Sequence, residues 1–397
     1  MSSNVKLKHM KNKSILLILL FGIISLFGDI VYEGVRSISG PFLASIGASA
    51  VIIGFFSGLG EFLTYFLRFF SGYISDKKRI YWPFTIIGYS LICCLPLLAF
   101  TKIWQIAVIL LLLERIGKAI RTPSRDTLIS FAGKDIGYGK SFGIHEVLDQ
   151  IGAILGPLIF FFSLSRFKSY SVGFKFMWVP SFFLILTLIF ARKNYNIIVE
   201  KEEKINFLQK NNLNQNFTFY LLFVFFSLSG LITFPIISYH LSTKKIVIFS
   251  GIPVFYIIAM SVDGIVALFI GNLYDKIKLK TLLLIPFLTI VLSFSVLSTN
   301  IFFSLIGIII FGVIIGCHET ILRASIADMI PSFQRGFAYG IFNTIYGIAL
   351  FIGSWIIGFL YGKNFKLIWV YVIIMEIISF VFLFYQIKIK NVVEKAR

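Results

Sequence analysis

Charge set into apolar sequence marks where this chain could do chemistry. Between Leu111 and Pro157 it reads LLLERIGKAIRTPSRDTLISFAGKDIGYGKSFGIHEVLDQIGAILGP. Glu114, Lys118, Arg121 and Arg125 recur at i, i+4, i+7 and i+11, which on a helix places them within about 60° of one another. His145, Asp149, Gly152 and Gly156 repeat the spacing farther on. Closer to the start, Asp29, Glu33 and Arg36 share a stripe with Gly22 and Ser25, and Ser57, Glu61, Thr64 and Arg68 form another. Such stripes can take up and release protons or meet a charged solute.

The elements that carry them are apolar. The 397 residues are 58% hydrophobic and 14% charged, with 46 Phe. A soluble domain is about 45–50% apolar and about 25% charged. Twelve apolar stretches are long enough to cross a bilayer: 14–38, 48–71, 80–100, 103–130, 141–164, 173–192, 216–240, 246–271, 280–298, 301–328, 335–361 and 366–387. This predicts an all-α polytopic membrane protein, without the long alternation of a β-barrel. The first stretch runs on past Asp29 without a small-residue cleavage site, so it reads as a retained span. A charge at the bilayer centre costs about 2.5–3.5 kcal/mol on the insertion scale. The stripes must therefore face a cavity, a partner charge or a packed helix.

The net charge of +19 has a loop explanation. Lys and Arg collect before the first span, in 76–80, 133–140, 192–215 and 275–280, and in the tail. That bias places both termini in the cytoplasm of a cell-membrane protein and removes the need for a nucleic-acid partner. Cys93, Cys94 and Cys317 lie inside apolar runs and read as buried hydrophobes. His145-Glu146 and His318-Glu319 lack the HExxH spacing of a zinc site. With no P-loop, GxSxG or dinucleotide fingerprint either, the expectation is no metal, no cofactor and no enzyme activity.

The chain also repeats itself. GYISDK at Gly72–Lys77 matches GNLYDK at Gly271–Lys276, Arg125 matches Arg323, and Gly143 and Gly156 match Gly340 and Gly353. A nearly constant offset of about 200 residues indicates a six-plus-six duplication. The expected domains are an N-terminal bundle (1–192), a polar central loop (193–215) and a C-terminal bundle (216–397).

Gly72, Asp76 and Lys77, echoed by Gly271, Asp275 and Lys276, resemble the loop motif of the major facilitator superfamily (MFS), although the motif's internal Gly is missing. Arg115-Ile-Gly117-Lys118-Ala119 resembles the fourth-helix motif of proton-coupled members. Gly152, Gly156 and Pro157 resemble the first half of the fifth-helix motif of exporters, whose final glycines are here Phe160 and Phe161. The chain is thus similar to a prokaryotic MFS branch of unassigned substrate. The resemblance implies two six-helix bundles, alternating access, a small-molecule substrate and protons as partners, and a monomer in the bilayer. It implies an antiporter performing efflux of a small organic or amphiphilic compound. It also implies a latch between Asp76 and Arg121 or Arg125.

Within that frame, Asp29, Glu33, Glu61, Glu114, Arg115, Lys118 and Asp149 are the candidates for proton coupling or the substrate pathway, with Asp263 and Glu319 in the second half. Each carboxylate has a structural alternative: Glu33 a salt bridge with Arg36, Glu61 an inter-helix ion pair, Asp149 a gate network. Two rival functions remain open at this level. One is proton-coupled uptake of a polar or anionic solute held by Arg36, Arg68, Arg115 and Lys118. The other is a sensor that binds a ligand without moving it.

Overall fold

A computed structural model describes residues 2–133, 137–194, 215–330 and 335–395. The helices are α1 (Ser2–Ser45), α2 (Ala50–Lys78), α3 (Tyr81–Ser90), α4 (Trp104–Gly133), α5 (Tyr138–Phe167), α6 (Tyr170–Phe176) and α7 (Trp178–Asn194). After the central segment come α8 (Gln215–Gly230), α9 (Phe234–Thr243), α10 (Ile252–Ile277), α11 (Leu284–Val296), α12 (Ile301–Met329), α13 (Arg335–Lys363) and α14 (Leu367–Lys395). No strand occurs among the described residues.

Ten helical stretches are long and apolar enough to cross a membrane. One of them, Phe249–Val296, folds into two passes, α10 and α11. A twelfth pass, α4, is excluded from that set by its own charges. Six passes precede residues 195–214 and six follow. Most of the expected central loop lies outside the described residues. Large apolar side chains such as Phe162, Leu268 and Phe269 stand exposed on the helices, as lipid-facing positions do.

Four expected spans are less regular than the sequence implied. The third continues from α3 as a 3-10 segment, Leu91–Phe100, which contains Pro96. The sixth is α6 and α7 joined at Met177. The ninth enters α11 through a 3-10 segment, Lys278–Leu283. The seventh breaks between Gly230 and Phe234, where Pro235 in the first turn of α9 needs no helical donor. By contrast α4 continues through Pro123. The carbonyl that Pro123 leaves free, that of Ala119, accepts from the Ser71 hydroxyl of α2 at 2.7 Å, so the proline is tolerated.

The chain forms two compact units: residues 1–38 with 66–203, and residues 39–65 with 204–397. The division falls inside α1 and α2, so the end of α1 and the first part of α2 belong with the later helices. In the first unit α5 crosses α1 at its glycines. A side chain at Gly152 would stand 2.6 Å from the Leu26 carbonyl, and one at Gly156 would collide with that of Ile30. In the second unit α2 meets α13 in the same way: a Cβ on Gly358 would stand 2.6 Å from the Ala50 carbonyl. Backbones this close gain van der Waals contact that lipid cannot replace.

The duplication is visible in packing. Gly72 of α2 sits against Pro123 of α4, 3.4 Å from the position of its missing Cβ. Its counterpart Gly271 of α10 sits against Thr320 of α12 at 3.7 Å. These distances generate a prediction. Gly156→Leu should destabilise the purified protein by at least about 1–3 kcal/mol, the range for overpacking. Gly72→Ala should leave the thermal midpoint in detergent near wild type, because its Cβ fits at ordinary contact distance.

Candidate functional site

The ionisable side chains of the first unit gather where α1, α3, α4 and α5 meet. Glu114 and Arg121 are two turns apart on α4 and therefore on one face. Both guanidinium nitrogens of Arg121 lie 3.5 Å from Glu114 Oε1, and Nη1 also reaches the Gly88 carbonyl of α3 at 3.5 Å. The pair is 2% and 3% exposed. Gly88 and Gly117 allow this approach, since a side chain on Gly88 would stand 2.6 Å from the Gly117 carbonyl.

A second face of α4 looks toward α1. Arg115 Nη1 donates to the Tyr32 hydroxyl. The Arg115 guanidinium lies 5.0 Å from the centre of the Tyr32 ring and Lys118 Nζ 4.1 Å from it, with Arg36 at 5.8 Å. A desolvated cation over an aromatic face is worth about 2 kcal/mol. Arg36 also pairs with Glu33 at 3.8 Å.

One turn lower, Ser25 is the junction. Its hydroxyl lies 3.1 Å from the Tyr89 hydroxyl of α3, 3.3 Å from Arg125 Nη1 and 3.4 Å from His145 Nε2 of α5. His145 Nε2 lies 3.6 Å from Asp149 Oδ2. The other oxygen, Asp149 Oδ1, is buried without a hydrogen-bond partner. Asp149 and Asp29 are within electrostatic reach of each other, and Lys118 is within reach of both. Arg125 is held by Asp126, at 2.8 Å from Nη2.

The structure thus joins Asp29, Glu33, Arg115, Lys118, Arg125 and Asp149 into one neighbourhood and corrects the expected latch. Asp76 is exposed on the last turn of α2 and forms no latch. Arg121 is turned inward to Glu114, and Arg125 is taken by Asp126 and Ser25. Glu114 lies in the seam between α3 and α4, between Arg121 and the thiol of Cys94, and its other oxygen lies 3.9 Å from Arg115 Nε, which ties it to the edge of the Asp29–Asp149 group.

In the second unit Glu61 and Glu319 meet around one tyrosine, while Asp263 lies on another seam. Asp263 is buried on α10 against Gly316 of α12, whose Cβ would meet its Oδ1 at 3.2 Å. Glu319, exposed on α12, and Glu61 both lie within electrostatic reach of Tyr346 of α13, as does Arg323, and that ring also meets Tyr65 at 4.6 Å and His318 at 6.4 Å. In the second loop motif Asp275 and Lys276 are exposed, and Asp275 pairs with Lys278 at 3.9 Å. Lys278 also bonds Asp328 at 3.2 Å, and Tyr274 donates to the same carboxylate oxygen at 3.1 Å.

Sequence reasoning passed over Tyr32, Tyr89 and Tyr346. Tyr32 could have been found, because it lies between Asp29 and Glu33 and one turn before Arg36. Nothing near Tyr89 or Tyr346 in sequence singles them out.

Twelve passes in two sets of six, with buried charge held between helices and matching loop motifs, define the architecture of a duplicated secondary transporter. The Major Facilitator Superfamily profile matches residues 14–263 and 254–396, and the chain belongs to that superfamily. An uncharacterized protein of Mycobacterium tuberculosis is 34% identical over 372 residues, covering 92% of this chain and 91% of the relative. An uncharacterized MFS-type transporter of Methanocaldococcus jannaschii is 29% identical over 375 residues, covering 91% and 92%. Among solved structures, the inward-facing, unoccupied bacterial homolog of the human lysosomal transporter Spinster shares the fold, with a TM-score of 0.71 at 14% identity, covering 94% of this chain and 97% of that one. The nucleoside transporter NupG does so with a TM-score of 0.71 at 15% identity, covering 94% and 98%.

The Glu114–Arg121 pair can be tested for a structural role. Glu114→Ala leaves a buried guanidinium without its counter-ion, and the expected loss is about 3–5 kcal/mol. A Glu114→Leu/Arg121→Met double variant should recover most of that loss in the same thermal melt, since it removes both charges and keeps the volume.

Proposed function

We propose that this protein is a proton-coupled antiporter that exports a small organic or amphiphilic compound by alternating access. It acts as a monomer in the cell membrane with both termini in the cytoplasm. The observation that carries the coupling is Asp149. One of its oxygens is held near His145 while the other is buried with no hydrogen-bond partner, and a second carboxylate, Asp29, is its neighbour. Arg125 acts on Asp149, and both carboxylates lie within electrostatic reach of Lys118. A proton gained by one leaves more of the cation's field to the other, so protonation rearranges the network that ties α5 to α1 and α4.

Export draws support from the fifth-helix motif, Gly152, Gly156 and Pro157, which lies on the face of α5 that meets α1. The substrate class draws support from the second unit. Tyr65 packs on Tyr346 at 4.6 Å and Phe62 stacks on Phe351 at 6.1 Å, an aromatic surface bordered by Glu61, Glu319 and Arg323, as an amphiphilic compound requires. Uptake of an anionic solute fits less well, because Arg36, Arg115 and Lys118 are already drawn onto Tyr32 and Glu33. Orientation rests on the loop charges.

Proteoliposomes with an imposed proton gradient supply the test, with a fluorescent aromatic amphiphile as the probe. Wild-type protein should move the probe against its gradient. Asp149→Asn should bring that movement down to the leak of empty liposomes while retaining probe binding. Probe binding by wild type with no flux under any gradient would instead identify a sensor.

A further inference from the structure

The broken seventh span holds a feature that the first unit's network does not explain. α8 stops at Gly230, near the middle of the span Phe217–Thr243, and helix resumes at Phe234. Residues 230–233 are all buried. Across the break, Leu231 N–H donates to the Leu228 carbonyl at 3.2 Å, while the Thr233 carbonyl accepts from Ile236 and Ile237 at 3.0 and 3.1 Å. The end of α8 is the negative pole of a half-helix, with carbonyls that no further turn satisfies. Irregular backbone at membrane depth persists where protein or a cavity surrounds it.

A carboxylate stands against that pole. α14 packs along α8, with Ser379 Oγ donating to the Phe223 carbonyl at 3.3 Å. Glu376, one turn earlier on α14, has its Oε1 only 2.7 Å from where a Cβ on residue 230 would sit, so the absence of a side chain at Gly230 is what admits it. Glu376 is 0% exposed, and neither of its oxygens has a hydrogen-bond partner. Ser227 of α8 is 2% exposed, and its hydroxyl faces Glu376 short of hydrogen-bond geometry, also without a partner. Tyr371 is the titratable side chain within electrostatic reach of Glu376 among the described residues, and no Lys, Arg or His faces it from α8 or from its own helix.

A bare carboxylate beside a negative helix pole, with one hydroxyl near it and no counter-charge, is not tenable at this depth. A proton would neutralise it and its O–H would find one acceptor in Ser227 or a helix-end carbonyl, but the second carboxylate oxygen and the remaining carbonyls would stay unsatisfied. A metal cation satisfies all the groups at once. Carboxylate, hydroxyl and helix-end carbonyl are hard oxygen ligands, and a single carboxylate matches a single charge. The geometry points to a sodium-type monovalent cation site in the second unit, formed by Glu376, Ser227 and the carbonyl end of α8 at the break of the seventh span.

The test is thermal unfolding of the purified full-length protein in detergent, with NaCl titrated against choline chloride at constant ionic strength. Sodium should raise the wild-type midpoint saturably where choline does not. Glu376→Gln should lose the response, and Ser227→Ala should need at least about tenfold more sodium for half-saturation, the shift that corresponds to one lost ligand interaction of about 1.4 kcal/mol. No sodium-specific shift in wild type overturns the site. So does wild-type sodium affinity in Glu376→Gln or, should that variant not fold, in Ser227→Ala. The readout requires no transport, and Asp149→Asn should keep the sodium response. Failure here is therefore separate from failure of proton coupling.

Discussion

An ionised side chain inside a bilayer has no water to turn to, and most of what is distinctive in this protein follows from that. A charge in that position survives when protein supplies the field that water would have supplied. In the first unit the supply is mutual. Arg121 and Glu114 answer each other, and the Tyr32 ring and hydroxyl accept Arg115 and Lys118. Ser25 links Arg125, Tyr89 and His145. Each contact needs helix axes closer than large side chains permit, which is why Gly88, Gly117, Gly152 and Gly156 stand beside the charges they serve.

Because the groups satisfy one another, they cannot change independently. Asp149 touches the network through His145 on one oxygen and leaves the other open. Glu114 is the contrasting case. Its carboxylate is enclosed by Arg121 and α3, and a proton added there would strand a buried cation. The two carboxylates thus differ in how completely their neighbours satisfy them.

The two units resolve the same constraint differently despite their shared ancestry. The equivalent crossings at Gly72–Pro123 and Gly271–Thr320 are retained, so the scaffold is common. The charge is not. Asp263 and Glu376 are buried apart from each other on α10 and α14, and Glu376 meets the end of a half-helix in place of a basic partner. Tyr65, His318 and Phe342 gather around the Tyr346 ring.

Much of this was legible in residue order. Span length and apolar content specify twelve passes, because thirty ångströms of hydrocarbon demand about 20 residues of helix. Recurring Gly-x-x-x-Asp-Lys reveals the duplication, and helical periodicity puts Glu114 and Arg121 on one face. Periodicity describes a helix alone, however, and says nothing of which neighbour that face meets. Only tertiary packing turned Arg121 toward Gly88 and Glu114 and away from Asp76. Packing also gathered three cations around Tyr32 and placed Glu376 against Gly230, more than a hundred residues away in sequence. Those pairings depend on helix crossings set by glycines in other spans, so the local pattern could name the charges and their depth while the fold chose their partners.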